Sequence, residues 1–311
     1  MRASSFGSGS KKPGHFHYKK GVQHSSHKLR NITGFFVAFA LVGGLIKADA
    51  MSVFASSTRN HQAVETTLPT TNPQATDSSI PVATSLPKQD TALESSINQV
   101  IKEFPKEQQW SVYVQDLSTQ RAVNVHADET YDAASLAKLF LLAPLESKTP
   151  SDKWSYYRIG NTNVKDCVDA MLRVSDNDCA KSIGAMVNWN YVDQFNRSLG
   201  YNKTTLTGTP RTTAAEVGDL LVNLKKGKML SDKARRTVFD SLYAQKFTEG
   251  LPSGCSNCRT ANKTGQTDTV THDAGIITHG QRSYVIVVMS KGGNFAQIAQ
   301  ITKAVETELN P

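Results

Sequence analysis

An α+β fold is what the order of periodicities in this chain predicts: a five-stranded antiparallel sheet flanked by N- and C-terminal helices, with an all-helical insertion. Three observations carry it. Helical spacing opens and closes the segment after residue 90. Alternating apolar runs fall into two groups, near 110–126 and near 259–290. Everything between those groups, from Ser135 to about Gln245, reads as helix.

Leu93, Ile97, Val100, Ile101 and Phe104 recur at helical spacing and predict an amphipathic opening helix. Trp110–Leu117 and Arg121–His126 alternate on either side of Ser118-Thr119-Gln120, which reads as a hairpin. Helices are then predicted over 135–146, 163–173, 177–188, 190–199, 212–226 and 231–245. Strand patterns return over 259–264, 273–278 and 283–290. Phe295, Ile298, Ile301 and Val305 share one face of a closing helix over 295–309. No internal repeat interrupts this order.

Upstream of that segment the chain is built differently. The formal net charge of the 311 residues is +8, from 35 Lys+Arg and 27 Asp+Glu. Seven of the basic residues (Arg2, Lys11, Lys12, Lys19, Lys20, Lys28, Arg30) and none of the acidic ones fall in 1–31, leaving 28 against 27 over the rest. The charge is a property of the tail, and the body carries no compositional case for nucleic-acid binding. Ile32–Ile46 follows as fifteen uncharged, mostly apolar residues, on the border between a signal-peptide core and a spanning helix. Ala48-Asp49-Ala50 has the form of a cleavage site. Together 1–31 and 32–50 read as a basic cytoplasmic tail and a signal peptide or signal anchor contacting the membrane. Residues 51–90, with six Ser, seven Thr and four Pro, read as a linker too polar to offset its ordering entropy. The folded domain is expected over 91–311, extracytoplasmic and either tethered or secreted.

The chemistry starts at Ser135-Leu136-Ala137-Lys138. At the start of a helix this Ser-x-x-Lys puts Lys138 one turn from the hydroxyl on the same face, and helix-terminal amides favour a developing oxyanion. Burial lowers a lysine pKa and makes it a base. The motif alone is weak, since Ser8, Ser25 and Ser85 open three more copies in tail and linker. Ser175-Asp176-Asn177, at a junction of two predicted helices, and Asn262-Lys263-Thr264-Gly265, on a predicted strand, change its weight. In that order the three motifs resemble the class A β-lactamase-like and penicillin-binding serine hydrolase superfamily. Leu242–Lys246, Leu251-Pro252 and His272-Asp273-Ala274-Gly275-Ile276-Ile277 look like the same family, so the resemblance spans about 91–311.

The resemblance implies roles residue by residue. Ser135 is expected to be the acylated nucleophile and Lys138 its proton acceptor. Ser175 is expected to pass a proton to the leaving nitrogen, and Asn177 to orient Lys138 and the substrate amide. Lys263, Thr264, Gly265 and Gln266 are expected to bind substrate, with the backbone N–H groups of Ser135 and Gln266 as the oxyanion hole. The substrate is expected to be a small β-lactam or a peptidoglycan peptide ending in D-Ala-D-Ala, with no cofactor and no metal. Asp176 reads better as a helix cap.

The sequence also departs from the family. Class A β-lactamases carry a loop Glu that activates the deacylating water. Here Gly200 and Thr212 are separated by eleven residues, and 196–215 contains no Asp or Glu. Glu216 reads as a first-turn acid complementing a helix dipole. A penicillin-binding-type enzyme with slow deacylation follows, against two rivals on the same fold: a β-lactam sensor and a non-catalytic cell-wall binding module. Cys167, Cys179, Cys255 and Cys258 read most simply as bridges 167–179 and 255–258. Three connectivities remain open, as do redox and zinc roles for Cys255-Ser256-Asn257-Cys258. His272 reads as a structural histidine, and Trp154-Ser155-Tyr156-Tyr157 as packing, near the cleft entrance if the family pattern holds.

Overall fold

The computed structural model describes residues 88–310. The tail, the apolar segment and the linker up to residue 87 lie outside the described residues. In chain order the elements are β1 (Lys88–Gln89), α1 (Thr91–Lys102), β2 (Gln109–Asp116), β3 (Arg121–Val125) and β4 (Thr130–Asp132). A 3₁₀ helix over Ala134–Leu141 runs into α2 (Leu142–Lys148). Then come β5 (Arg158–Ile159), β6 (Thr162–Asn163), α3 (Val164–Arg173), α4 (Asn177–Val187) and α5 (Trp189–Ser198). The chain finishes with β7 (Arg211–Thr213), α6 (Ala214–Lys225), α7 (Asp232–Tyr243), β8 (Arg259–Gln266), β9 (Val270–His279), β10 (Arg282–Lys291) and α8 (Phe295–Leu309).

The sheet runs β1-β3-β2-β10-β9-β8. Its five long strands pair antiparallel as the sequence predicts, but there is a sixth. Lys88–Gln89, inside the stretch read as linker, pairs parallel with Arg121–Ala122. Both of its side chains are exposed, so backbone hydrogen bonds pair it with β3, Gln89 Nε2 adds a bond to Glu94 of α1 at 2.7 Å, and no apolar pattern announces it.

Strand alternation divides the core into two layers. Tyr284, Ile286 and Val288 of β10 face Leu93 and Ile97 of α1 and Ile298, Ile301 and Val305 of α8. Val285, Val287 and Met289 face the helical insertion, where Leu136, Leu139, Val217 and Leu221 meet them. The terminal helices therefore cover one face of the sheet and the helical insertion the other.

The helix predicted over 135–146 is broken, and Pro144 is the reason. A continuous α-helix would need a Pro144 N–H to bond the Phe140 carbonyl, and proline has none. Asn196 of α5 donates its side-chain amide to Phe140 O instead, at 3.1 Å. Two small pairings escape the sequence pattern altogether, β4 with β7 and β5 with β6. Bridges join Cys167 to Cys179, stapling α3 to α4, and Cys255 to Cys258 just before β8. Among the described residues no helix is long and apolar enough to cross a membrane.

Candidate active site

Ser135 sits at the first turn of the 3₁₀ helix, after a lead-in held in an unusual shape. Ala134 has φ +44°, a left-handed conformation that costs an L-residue on the order of 1–2 kcal/mol. The Asp132 carboxylate compensates by accepting the Ala134 N–H at 2.8 Å. Ala133 N–H donates to Pro210 O at 2.9 Å, so the loop before β7 holds the same turn from the other side. β8 closes on the turn at Gly265. A methyl group there would come within 3.1 Å of the Ser135 nitrogen, which explains glycine at this position.

Two of the other expected residues, Lys138 and Lys263, converge on the hydroxyl of a third, Ser175. Lys138 Nζ lies 2.5 Å from Ser175 O, 3.1 Å from Ser175 Oγ and 2.7 Å from Asn177 Oδ1. Lys263 Nζ lies 3.0 Å from the same Ser175 Oγ and 2.9 Å from Thr264 O. Among the described residues no hydrogen bond joins Lys138 to Ser135. The turn that presents Ser175 is itself left-handed, with φ +60° at Ser175. Asp176 caps α4 by accepting the Cys179 N–H at 2.7 Å, its expected structural role, and Cys179 is tied to Cys167.

Both lysines are buried, and burial lowers both pKa values. Lys138 falls to about 8, with Asp176 pulling partly the other way. Lys263 falls to about 7 through burial and then the charge of Lys138, opposed by Asp273. Lys263 is fully buried and Thr264 nearly so, so the ammonium stands behind Ser175 rather than on the cleft surface. On the β8 side the cleft is lined by Gln266 and Thr267.

The cleft at Ser135 has a volume of about 310 Å³. Its far wall is apolar: Leu141, Ala180, Trp189, Leu206 and Pro210, with Lys181 at the edge. No Asp or Glu among the described residues lines it. Asp193 is used up in the short loop, accepting from Leu206 N at 2.7 Å and from Thr205 Oγ1 and Thr207 N at 3.1 Å each. Burial pushes its pKa up, but these bonds outweigh it and hold the carboxyl below its ordinary value. Glu216 accepts from Lys203 N at 2.8 Å and Thr204 Oγ1 at 2.5 Å, an acid occupied in the first turn of α6.

Sequence reasoning missed this far wall. Trp189 and Leu206 carry no motif, although one signal existed in Gly184: a methyl group there would strike the Trp189 ring at 2.1 Å. The aromatic stretch divides, with Trp154 buried and Tyr156 exposed.

A model of the beta-lactamase enzyme family matches residues 92–156 and 148–309. No curated relative matches by sequence. The fold resembles PBP-A at TM-score 0.65 and 20% identity, covering 72% of this chain and 99% of that one. A PBP-A variant solved as an acyl-enzyme with penicillin G is similar at TM-score 0.64 and 19% identity, with 72% and 98% covered. A β-lactamase from Chitinophaga pinensis gives TM-score 0.64 at 17% identity, with 70% and 100% covered. At these identities the likenesses establish the fold.

Proposed function

The chain belongs to the beta-lactamase enzyme family, and on that premise we propose that it is an exported serine hydrolase that acylates Ser135 readily and deacylates slowly. Its substrates would be β-lactams or D-Ala-D-Ala peptides. The observation that carries the reading is one cleft lined by Ser135, Lys138, Asn177 and Gln266 whose far wall holds no carboxylate.

Neutral Lys138 takes the Ser135 proton as Oγ attacks the carbonyl carbon; a bond to Ser175 in the resting state is no bar, because such contacts rearrange when substrate binds. The Ser135 and Gln266 N–H groups stabilise the oxyanion. The tetrahedral intermediate collapses as the carbon–nitrogen bond breaks. Ser175, bridging the two ammonium groups, relays the proton from Lys138 to the leaving nitrogen. Lys263 attracts the substrate carboxylate through Ser175 and Thr264. Water must then attack the ester beside Leu206 and Trp189, where nothing is placed to take its proton. PBP-A, whose fold is similar, forms an acyl-enzyme with penicillin G in variant form, which supports the same chemistry here. The tail 1–31 and apolar segment 32–50 support placement outside the cytoplasm, with 51–87 as spacer.

A chromogenic cephalosporin time course with intact-mass analysis tests this. A stoichiometric burst, a slow plateau and an adduct on Ser135 are expected; equal behaviour of wild type and Ser135→Ala would overturn it. Leu206→Glu, which puts a carboxylate on the far wall, is expected to raise plateau turnover at least tenfold while leaving the burst.

A further inference from the structure

One buried side chain links the two halves of the proposed oxyanion hole, and the acylation mechanism does not use it. His272, on β9, is fully buried. Its Nδ1 accepts the Ser290 N–H of β10 at 3.1 Å, so its Nε2 carries the hydrogen and donates to Asp132 O at 2.8 Å. Asp132 ends β4 and leads through Ala133 and Ala134 to Ser135. The other hydrogen-bonded restraints on that lead-in come from Pro210 and the pairing of β4 with β7, and from the Asp132 carboxylate itself. None of these comes from the six-stranded sheet, which touches the lead-in by packing at Gly265 and bonds to it through His272.

His272 also occupies the row that matters. It pairs with Gly265, the residue that packs on the Ser135 nitrogen and precedes Gln266. One donor of the oxyanion hole therefore hangs on the lead-in and the other on β8, and His272 joins the two, its imidazole bonded to Asp132 O and its backbone paired with Gly265. Its charged surroundings are sparse: Asp132, whose carboxylate is turned to Ala134, and Tyr131, edge-on at 5.9 Å between ring centres. β10 meets it with the uncharged Ser290.

We propose that His272 is a positioning residue that sets the separation between the Ser135 and Gln266 N–H groups through its bond to Asp132 O. The role rests on the acyl-serine reading above. It belongs to the imidazole Nε2–H alone, which separates it from a role in holding the sheet together. Gln at 272 places an amide nitrogen near the position of Nε2 and keeps the bond to Asp132. Asn places its oxygen near Nδ1, keeps the bond from Ser290 and falls short of Asp132.

Single-turnover acylation and melting curves for wild type, His272→Gln, His272→Asn and His272→Ala distinguish these. Acylation at saturating β-lactam is expected to fall about 10- to 100-fold in the Asn and Ala variants, as sub-ångström misplacement does. Non-covalent affinity should be little changed. Gln is expected to recover most of the rate, and Asn to recover the melting temperature without the rate. A folded Asn variant acylating as fast as wild type, or a folded Gln variant as slow as Ala, would overturn the role alone. A wild type that forms no adduct would overturn the acyl-serine reading and the role with it.

Discussion

At the scale of single residues, the site is governed by where two lysines can keep a proton. Burial holds Lys138 near 8, so saturated acylation is expected to climb as pH rises through about 8 and the amine loses its proton. Lys263 loses its charge near 7, so the affinity for a carboxylate-bearing β-lactam should weaken above that pH. Stopped-flow acylation from pH 6 to 9, resolved into a binding constant and a rate, checks both limbs. The Asp193 carboxylate works by hydrogen bonding. Asp193→Ala leaves the Leu206 and Thr207 N–H groups without their partner, at a cost of about 2–4 kcal/mol measurable by denaturant unfolding. The same contribution is present above the ordinary Asp pKa and is lost as pH falls through its lowered value in the folded state.

Elements with a strong periodic signal were legible in advance. α8 matches its expected bounds, and α3, α4 and α5 match to within a residue, because each buries an amphipathic stripe and begins at a capping side chain. The break after Ser135 was legible only in part: Pro144 marks it in the sequence, but the partner that satisfies the freed Phe140 carbonyl, Asn196, lies more than fifty residues on. β1 was not legible because no apolar pattern marks its two exposed residues. At the site, Ser135, Lys138, Ser175, Asn177 and Lys263 were singled out by the family resemblance that their three motifs carry, and the structure brings Lys138, Ser175, Asn177 and Lys263 into one hydrogen-bonded group. The apolar wall could not be read in this way, since Leu206 reaches the cleft only along a loop path that Asp193 dictates. The Cys167–Cys179 bridge belongs to this scale too: it closes a short loop around the turn that carries Ser175. Replacing both cysteines by Ala is expected to cost about 2–4 kcal/mol in thermal unfolding and to slow acylation.

At the scale of the molecule, the sheet separates two duties. The α1 and α8 face contributes stability without touching the cleft. Ile298→Ala is therefore expected to cost about 2–5 kcal/mol in unfolding while leaving the acylation burst intact in folded protein. The net charge of +8, which assigns a full proton to every lysine, looks different once the catalytic face is folded. Lys138 and Lys263 crowd one hydroxyl, and near neutral pH they do not both stay charged. A bound carboxylate raises the proton affinity of the pair, so complex formation draws a proton from solution. Titration calorimetry of Ser135→Ala with a β-lactam, in buffers of different ionisation enthalpy, should register that uptake between pH 7 and 8. The cleft thus takes in its anionic guest together with the counter-charge that guest needs.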